Sequence, residues 1–249
     1  VPVAPIDPDE RLQEIRRLID SMEDADYQSV ARTMLERHLE AFRSIPAAKS
    51  VHHSFLSGLL MHTYNMLRAA DFLAGLYPEV IDRSLLLTGT LLHDFAKERE
   101  FTFSGLGMVT DYSLSGQLIG HLVMGAQEVA DVARELAIAE EKSLLLQHLL
   151  LSHHGEPDFG AAVRPMCAEA ELLSLIDLVD SRMEIYAEAL QELPEQDEQI
   201  DALLRRRLRS DTPDRDELRR ASDYLYRRGF GRDEIRAAIA RYQDNFEEY

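Results

Sequence analysis

The sequence feature that most constrains the fold is a mostly apolar segment that ends in two adjacent ionisable residues. Residues 85–92 form the segment, His93 and Asp94 follow it at once, and Lys97 stands three residues further on. An imidazole and a carboxylate buried together are costly unless each has a partner, and a divalent metal ion satisfies both. The rest of the chain must therefore bury this segment while bringing partners to its end.

Further histidines recur at helix-sized intervals on both sides of this pair. His62, His93, His121 and His153 are 31, 28 and 32 residues apart, so each interval can hold one helix and a turn. His62 and His121 interrupt apolar stripes with helical spacing, so both side chains should face the interior. A single histidine in such a place is more often a hydrogen-bonded core residue than a ligand. Their recurrence favours a shared metal site.

Aspartates on a later helix supply the remaining candidate ligand. Asp177 and Asp180 share one face of the predicted helix 169–190. Asp180 competes with Asp177 for the ligand position, but we expect it to hydrogen-bond a ligand instead. Nitrogen and carboxylate ligands without thiolates suit Mn, Fe, Ni, Co, Zn or Mg, and six candidates favour two ions bridged by Asp94. The predicted metal ligands are His62, His93, Asp94, His121, His153 and Asp177.

Helical periodicity extends over nearly the whole chain, and no β-rich region is visible. Residues 1–8 hold three prolines and should form a loose arm. Ser84 is the predicted N-cap of the helix that contains residues 85–92. Residues 101–115 should form a loop or short hairpin. The predicted fold is all-α, a helical bundle with a small C-terminal helical appendage. The predicted helices span residues 9–22, 27–43, 55–76, 84–92, 118–132, 144–152, 169–190 and 201–209, with two more within 216–249.

Composition limits the partners that the chain can take. The 249 residues carry a formal charge of −18, so we expect no extended surface for nucleic acid, whose phosphates need clustered Lys and Arg. Cys167 is the single cysteine, which excludes an intrachain disulfide and fits a reducing compartment. We see no leader and no apolar run of membrane-spanning length. We therefore expect a cytoplasmic protein without a membrane partner.

Five stretches place the candidate ligands in a recurring order along the chain. This order, His…His-Asp…His…His…Asp on successive helices, resembles the HD-domain metal-dependent phosphohydrolase superfamily. Within that superfamily the stretches resemble the HD domain of the YhaM-type 3′-to-5′ exoribonucleases. They are PAAKSVHHSFLSGLLMH (46–62), LLHDFAK (91–97), YSLSGQLIGH (112–121), LSHHGE (151–156) and IDLVDSRM (176–183).

The resemblance divides the ligands between two divalent ions. It implies that Asp94 binds both ions, since a carboxylate can bridge them. His121 and His153 would bind the second ion together with Asp94. The ligands of the first ion would be His62, His93, Asp94 and Asp177.

Other residues near these ligands are candidates for substrate binding and catalysis. The resemblance gives Asp94 and Lys97 catalytic roles, with Lys97 near the scissile phosphate, and it places His154 at the cleft edge. For Lys97 the alternative is a solvated cation at a helix end. Arg164 is a candidate phosphate-binding residue, with an ordinary surface arginine as the alternative. The histidines expected to pack, to cap a helix or to support a ligand are His52, His53 and His148.

The resemblance implies a metal-dependent phosphohydrolase that cleaves a phosphoester bond of a nucleotide or short oligonucleotide. YhaM-type enzymes resemble an oligonucleotide-binding barrel joined ahead of an HD domain, and no β-rich pattern precedes residue 30 here. We therefore expect a small phosphorylated substrate rather than a long nucleic acid. Two alternatives stay open. One is a di-iron oxygenase, because some HD proteins that resemble this ligand pattern oxidise organic substrates with O₂. The other is a non-catalytic nucleotide-binding HD module.

The character of the chain changes near residue 190, where an acidic and polar segment follows the last long helix. Beyond it, LYRRGF (225–230) and DEIRAAI (233–239) resemble the helical repeats of recombination-regulator proteins. The predicted appendage packs on the core or on a second subunit of a homodimer. The predicted organisation is an N-terminal arm and helix (1–29), an HD domain (30–190) and a C-terminal helical appendage (191–249).

Overall fold

The computed structural model describes most of the chain, and His52 and His53 lie outside the described residues. Contacts between Cα atoms divide the chain into two units, Val1–Tyr186 and Ala187–Tyr249. The domain boundaries after residues 29 and 190 stay a prediction. None of the described helices is long and apolar enough to cross a membrane. The described residues are 3–48, 55–191, 196–208 and 213–244.

In its described residues, the first unit is a bundle of helices with one short hairpin. Its elements are α1 (Pro8–Asp20), α2 (Ala25–Ser44), α3 (Gly58–Leu76), α4 (Arg83–Leu92), α5 (Lys97–Glu100), β1 (Phe101–Phe103), β2 (Val109–Tyr112), α6 (Leu114–Leu118), α7 (Gly120–Glu135), α8 (Glu140–Ser152), a 3₁₀ turn (Pro157–Phe159) and α9 (Ala168–Gln191), which runs past the end of the unit. β1 and β2 pair antiparallel, with Phe101 opposite Tyr112. The all-α prediction and the predicted hairpin are both confirmed.

The start of α4 corrects one prediction about helix capping. Asp82 is the N-cap, and its side chain accepts a hydrogen bond from the backbone N–H of Leu85 at 3.0 Å. Serine and aspartate cap helices about equally well, and here the helix begins directly after the aspartate. Ser84 is therefore not the cap. Ser84 lies inside α4, where its Oγ accepts a hydrogen bond from the backbone N–H of Asp24 at 3.3 Å. This bond ties α4 to the start of α2.

The N-terminal segment corrects a second prediction. Val3 forms a parallel bridge with Leu56, and the backbone N–H of Ala4 donates to the Leu56 carbonyl at 2.9 Å. The prediction of a loose arm is thus wrong for residues 3–8, because the prolines leave the intervening N–H groups free to pair. Pro8 opens α1, since the first turn of a helix needs no donor from it.

Helix α4 is buried from Ser84 to its end in the core of the first unit. Every residue from Ser84 to Leu92 is buried, which explains why this helix is apolar on all sides. Gly89 permits a close approach to α8, because a Cβ there would lie 2.3 Å from Leu149 Cδ2. The ends of α4 and α8 therefore lie side by side, and the rings of His93 and His153, which follow them, have centroids 5.0 Å apart.

Where the structure describes the second unit beyond the end of α9, three helices surround a small core of their own. These are α10 (Gln196–Arg207), α11 (Arg215–Arg227) and α12 (Arg232–Asp244). The turn between α11 and α12 uses Gly229 at a φ of +96°, and the two helices predicted within 216–249 are confirmed. The buried core residues of this unit are Ile200, Leu204, Leu208, Ala221, Leu225, Ile235 and Ala238.

A half-buried histidine, His38, links α2, α5 and α7. Nδ1 of His38 contacts Glu98 Oε2 at 2.7 Å and Nε2 contacts Glu128 Oε1 at 2.6 Å, so both ring nitrogens donate to carboxylates. Burial lowers the pKa of His38, but the hydrogen bonds to Glu128 and Glu98 outweigh burial and raise the pKa to about 9. The cation therefore helps to hold the segment after Asp94 against the rest of the unit.

Replacing Gly89 by alanine should destabilise the protein. The new Cβ would overlap the Leu149 side chain, and overpacking of this kind costs about 1 to 3 kcal/mol of the free energy of unfolding. Gly75→Ala is the matched control, because a Cβ there meets nothing within 4 Å and should stabilise α3 by up to about 1 kcal/mol. Urea denaturation measures the free energy of unfolding of both variants. Equal stability of Gly89→Ala and the wild type would mean that α4 and α8 can separate without cost.

The stabilisation from His38 should depend on pH. The pKa of His38 in the folded protein lies above its value of about 6.5 in the unfolded chain. The contribution of His38 to the free energy of unfolding is therefore complete below about pH 6.5 and disappears as the pH rises through about 9. His38→Gln should therefore lower the free energy of unfolding by roughly 1 to 3 kcal/mol more at about pH 6 than at about pH 9.5. Arg16→Gln, which breaks an exposed pair with Glu36, should show no such dependence. A pH-independent effect of His38→Gln would contradict this assignment.

Candidate metal centre

His93 and His153 directly follow α4 and α8 and are held in the same way. Nδ1 of His93 donates to the carbonyl of Thr90 at 2.7 Å, and Nδ1 of His153 donates to the carbonyl of Leu150 at 2.8 Å. A carbonyl oxygen can only accept, so Nδ1 carries the proton and Nε2 keeps its lone pair. Both side chains are buried. The two helix ends thus present two imidazole lone pairs to the interior.

His62 on α3 and His121 on α7 are held by carboxylates instead. Nδ1 of His62 donates to Asp180 Oδ2 at 2.7 Å, and Nδ1 of His121 donates to Glu100 Oε1 at 2.9 Å. A carboxylate behind an imidazole fixes its orientation and makes its other nitrogen a better metal ligand. Asp180 has the hydrogen-bonding position that we expected for it. Sequence reasoning missed Glu100, because no pattern distinguishes it from the other acidic residues of the chain.

One group of ligand atoms forms around Oδ2 of Asp94. His93 Nε2 lies 3.3 Å from this oxygen, and His62 Nε2 lies 3.9 Å from it. The two Nε2 atoms are 3.3 Å apart, and Asp177 Oδ1 is 3.3 Å from His62 Nε2. His62, His93 and Asp94 offer ligand atoms that all lie within 4.8 Å of one another. All four predicted ligands of the first ion therefore converge here.

A second group of ligand atoms forms on the other side of the same carboxylate. Nε2 of His121 and Nε2 of His153 lie 3.3 Å and 3.7 Å from Asp94 Oδ1. His154 joins them, since ligand atoms of His121, His153 and His154 all lie within 4.8 Å of one another. The two oxygens of Asp94 thus face two different sets of histidines. A substrate-binding role for His154 at the cleft edge stays a prediction.

Unsatisfied polar atoms test whether a cation fits between these residues. Among the described residues, buried side-chain atoms without a hydrogen-bond partner include Asp94 Oδ1, His121 Nε2, His153 Nε2 and His154 Nδ1. Ion-pair distances of 3.3 to 3.7 Å to Asp94 do not satisfy them, because facing lone pairs have no proton to share. A divalent cation satisfies all of these atoms at once. The residues present therefore fit a metal ion.

The buried carboxylate of Asp94 also pairs with Lys97. Lys97 Nζ donates to Asp94 Oδ2 at 2.7 Å, and the Lys97 side chain is only 17% exposed. Burial raises the pKa of Asp94, but the charge of Lys97 is the first of several interactions that outweigh burial and hold that pKa well below its usual range. Burial lowers the pKa of Lys97, and the Asp94 charge more than compensates and raises it. Both groups therefore stay charged at neutral pH.

The histidines differ in the protons that they hold. Burial lowers the pKa of His62, but the hydrogen bonds to Asp177 and Asp180 outweigh burial and raise the pKa to about 9. Burial and the neighbouring His93 hold the pKa of His153 well below its ordinary value. His153 is therefore neutral and ready to bind a metal ion, whereas an ion that binds at His62 displaces a proton.

His148 and Arg164 lie outside both groups of ligand atoms. Nε2 of His148 accepts a hydrogen bond from the backbone N–H of Met166 at 2.9 Å. Arg164 Nε pairs with Glu156 Oε2 at 2.8 Å, and the Arg164 side chain is 68% exposed. His148 thus holds the loop before α9, and a phosphate-binding role for Arg164 stays a prediction.

Known families match both parts of the chain. The sequence model of the HD domain matches residues 59–182, and that of the third three-helix domain of RecX matches residues 195–239. The YhaM 3′-5′ exoribonuclease of Shouchella clausii is 40% identical over 188 residues, which are 76% of this chain and 58% of the relative. The YhaM enzymes of Halalkalibacterium halodurans and Listeria innocua are 39% and 42% identical over 76% and 75% of this chain and 58% of each relative. No solved structure gave a significant match.

These matches and the geometry of the site define the class of protein. Residues 59–182 of the chain belong to the HD-domain family, and their buried His and Asp residues are consistent with divalent metal binding. Within that family the chain is a homologue of the YhaM 3′-5′ exoribonucleases. The chain spans a little under three fifths of the length of these relatives, 58% in each case.

Metal content should separate a ligand histidine from a packing histidine on the same helix. His153→Gln removes a buried lone pair that faces Asp94, so the cobalt content after loading with Co²⁺ and dialysis should fall by about half. His148→Gln, whose side chain can still accept from Met166, should keep the wild-type content. Elemental analysis measures both variants, and circular dichroism checks their folding. Equal cobalt content in the two variants would argue against His153 as a ligand.

Proposed function

We propose that this protein is a metal-dependent phosphohydrolase that cleaves a phosphoester bond of a nucleotide or short oligonucleotide. The observation that carries the proposal is the position of Asp94. Its Oδ2 lies 3.3 Å from His93 Nε2, while its Oδ1 lies 3.3 Å from His121 Nε2. A carboxylate placed between two sets of histidines in this way suits a bridging ligand of two divalent ions.

Each ion would have its own set of ligands. His121 and His153 would hold the second ion with Asp94, and His154 supplies a further donor on that side. When bound, the two ions supply Lewis-acid polarisation of a phosphate and lower the pKa of a nearby water. The proposed ligands of the first ion are His62, His93, Asp94 and Asp177.

The chain's own groups orient the ligands and supply a positive charge. Asp180 and Glu100 hold the rings of His62 and His121, so that each Nε2 atom faces the inside of the site. Lys97 Nζ, at 2.7 Å from Asp94 Oδ2, places a buried cation beside the carboxylate. This charge would donate a hydrogen bond to a phosphate oxygen and stabilise the charge that develops there. Lys97 is therefore the proposed catalytic partner of Asp94.

The relatives suggest the chemistry of the substrate. A protein named 3′-5′ exoribonuclease is 40% identical to this chain over 188 residues, so RNA ends are the first substrates to test. The formal charge of −18 opposes a long polyanion held by charge alone. Recognition would then rest on the metal centre, which suits a short oligonucleotide or a nucleotide. A cytoplasmic location is part of this proposal, because the chain has a single cysteine.

Removal of the Asp94 charge should abolish hydrolysis. Asp94→Asn is isosteric but no longer bridges two ions, so kcat/KM should fall by at least about 100-fold. The substrates are bis-p-nitrophenyl phosphate and a labelled short oligoribonucleotide, each with Mn²⁺, Co²⁺, Ni²⁺, Mg²⁺ or Fe²⁺. Asp158→Asn removes an exposed carboxylate and serves as the control.

Three outcomes decide the proposal. Turnover in the wild type and in Asp158→Asn but not in Asp94→Asn would support a metal-dependent phosphohydrolase. Stoichiometric iron without phosphoester cleavage would favour the di-iron oxygenase. Failure to bind any divalent ion would rule out the catalytic proposal and leave a nucleotide-binding module.

A further inference from the structure

Glu100, the last residue of α5, contacts His121 in two ways. Its Oε1 accepts hydrogen bonds from His121 Nδ1 at 2.9 Å and from the His121 backbone N–H at 3.0 Å, and the residue is only 6% exposed. One oxygen atom thus holds both the ring and the main chain of the same residue. Rotation of the ring and displacement of its backbone would both break a charge-assisted bond.

The start of α7 depends on this carboxylate. Helix α7 begins at Gly120, and Ile119 at the N-cap position provides no capping hydrogen bond from its side chain. The first N–H groups of a helix have no partner within the helix and carry a partial positive charge. Glu100 supplies the missing acceptor from a distant part of the chain. His121 is therefore placed by a cap that α7 itself does not contain.

The backbone of Glu100 is held in turn by the hairpin–α6 segment, which we define as residues 101–118. The Glu100 carbonyl accepts a hydrogen bond from the Ser113 N–H at 2.8 Å, and Ser113 Oγ donates to the Arg99 carbonyl at 2.6 Å. A Cβ on Gly116 would lie 2.1 Å from the Glu100 carbonyl oxygen, so α6 packs directly on this backbone. Movement of the hairpin–α6 segment would therefore move Glu100.

We propose that Glu100 is a positioning residue for the second ion, and that the hairpin–α6 segment sets the affinity of that ion through the backbone of Glu100. The side chain keeps the proton of His121 on Nδ1, so that the Nε2 lone pair, 3.3 Å from Asp94 Oδ1, faces the site. The proposal rests on the proposed function only in requiring that the centre binds divalent ions. The affinity of the first ion does not depend on this contact.

A carboxylate that merely stabilised α7 would leave a different signature. Such a role would lower the free energy of unfolding of a variant without changing the tautomer of His121 or the affinity of one ion alone. Glutamine at position 100 keeps an acceptor oxygen and loses the charge, whereas alanine loses both. A graded effect of Glu100→Gln and Glu100→Ala on one ion therefore distinguishes positioning from general stabilisation.

The test is titration of the chelator-treated protein with Co²⁺, followed by calorimetry and visible absorbance. Glu100→Ala should bind one ion normally and the other at least about 100-fold more weakly, and Glu100→Gln should weaken the same ion by about 10-fold. Gly116→Ala, which changes no ligand, should weaken that ion by about 10-fold because it displaces the Glu100 carbonyl. In the metal-free protein, the ¹⁵N spectrum of the imidazoles should show Nδ1-protonated His121 in the wild type and a mixture of tautomers in Glu100→Ala.

Two controls match these variants. Glu98→Gln changes a neighbouring carboxylate that contacts His38 instead, and Gly105→Ala adds a Cβ with nothing within 4 Å in the same hairpin. Both should bind two ions as the wild type does. Wild-type affinity for both ions in Glu100→Ala, or equal loss of both ions, would overturn the proposal. These readouts need no turnover, so an inactive protein with the expected binding pattern would refute the proposed function alone.

Discussion

The structure depends on the burial of one carboxylate, Asp94, at the end of a buried helix. A buried charge is costly unless it is paired, and here the partners are Lys97 and imidazoles from several helices. Each of these imidazoles is bonded on its far side, so the nitrogen that faces Asp94 is available to a proton or to a metal ion. The helices are therefore arranged around a point where lone pairs meet, which an apolar core cannot tolerate without a cation.

The two sides of Asp94 are built on the same plan. Helices α4 and α8 each end in a histidine whose Nδ1 donates to the carbonyl three residues earlier. Helices α3 and α7 each carry a histidine whose Nδ1 donates to a carboxylate. Each side thus combines a ring held rigidly by its own helix with a ring held by a distant acid. A change elsewhere in the fold can alter the hydrogen bond between a ring and a distant acid.

The second unit has its own core and matches a different family from the HD region. Its helices pack through their own buried leucines, isoleucines and alanines. The chain therefore combines an HD domain with a helical region that matches the third three-helix domain of RecX. The resemblance of residues 225–239 to recombination regulators was visible in the sequence because a short turn around a glycine separates two amphipathic helices.

Much of the fold, and which residues meet around Asp94, could be predicted from the sequence alone. An apolar stripe with a 3.6-residue period identifies a helix, and a histidine inside such a stripe must face the interior. The inward-facing positions of His62 and His121 follow from this pattern, whereas His93, Asp94 and His153 stand directly after apolar segments. The choice between Asp82 and Ser84 as a cap does not, because both residue types cap helices well.

Only the tertiary structure decided which atoms face one another. Asp180 binds His62 across 118 residues of sequence, and Glu100 binds His121 across 21. A hydrogen-bonding role for Asp180 was predictable but its partner His62 was not, and nothing in the sequence pointed to Glu100, because an acid behind an imidazole is defined by helix packing and not by spacing along the chain. The sequence by itself determined the helices and the residue types of the site. The close packing of α4 on α8 at Gly89, and the hydrogen bonds behind each ring, determined how those residues converge on Asp94.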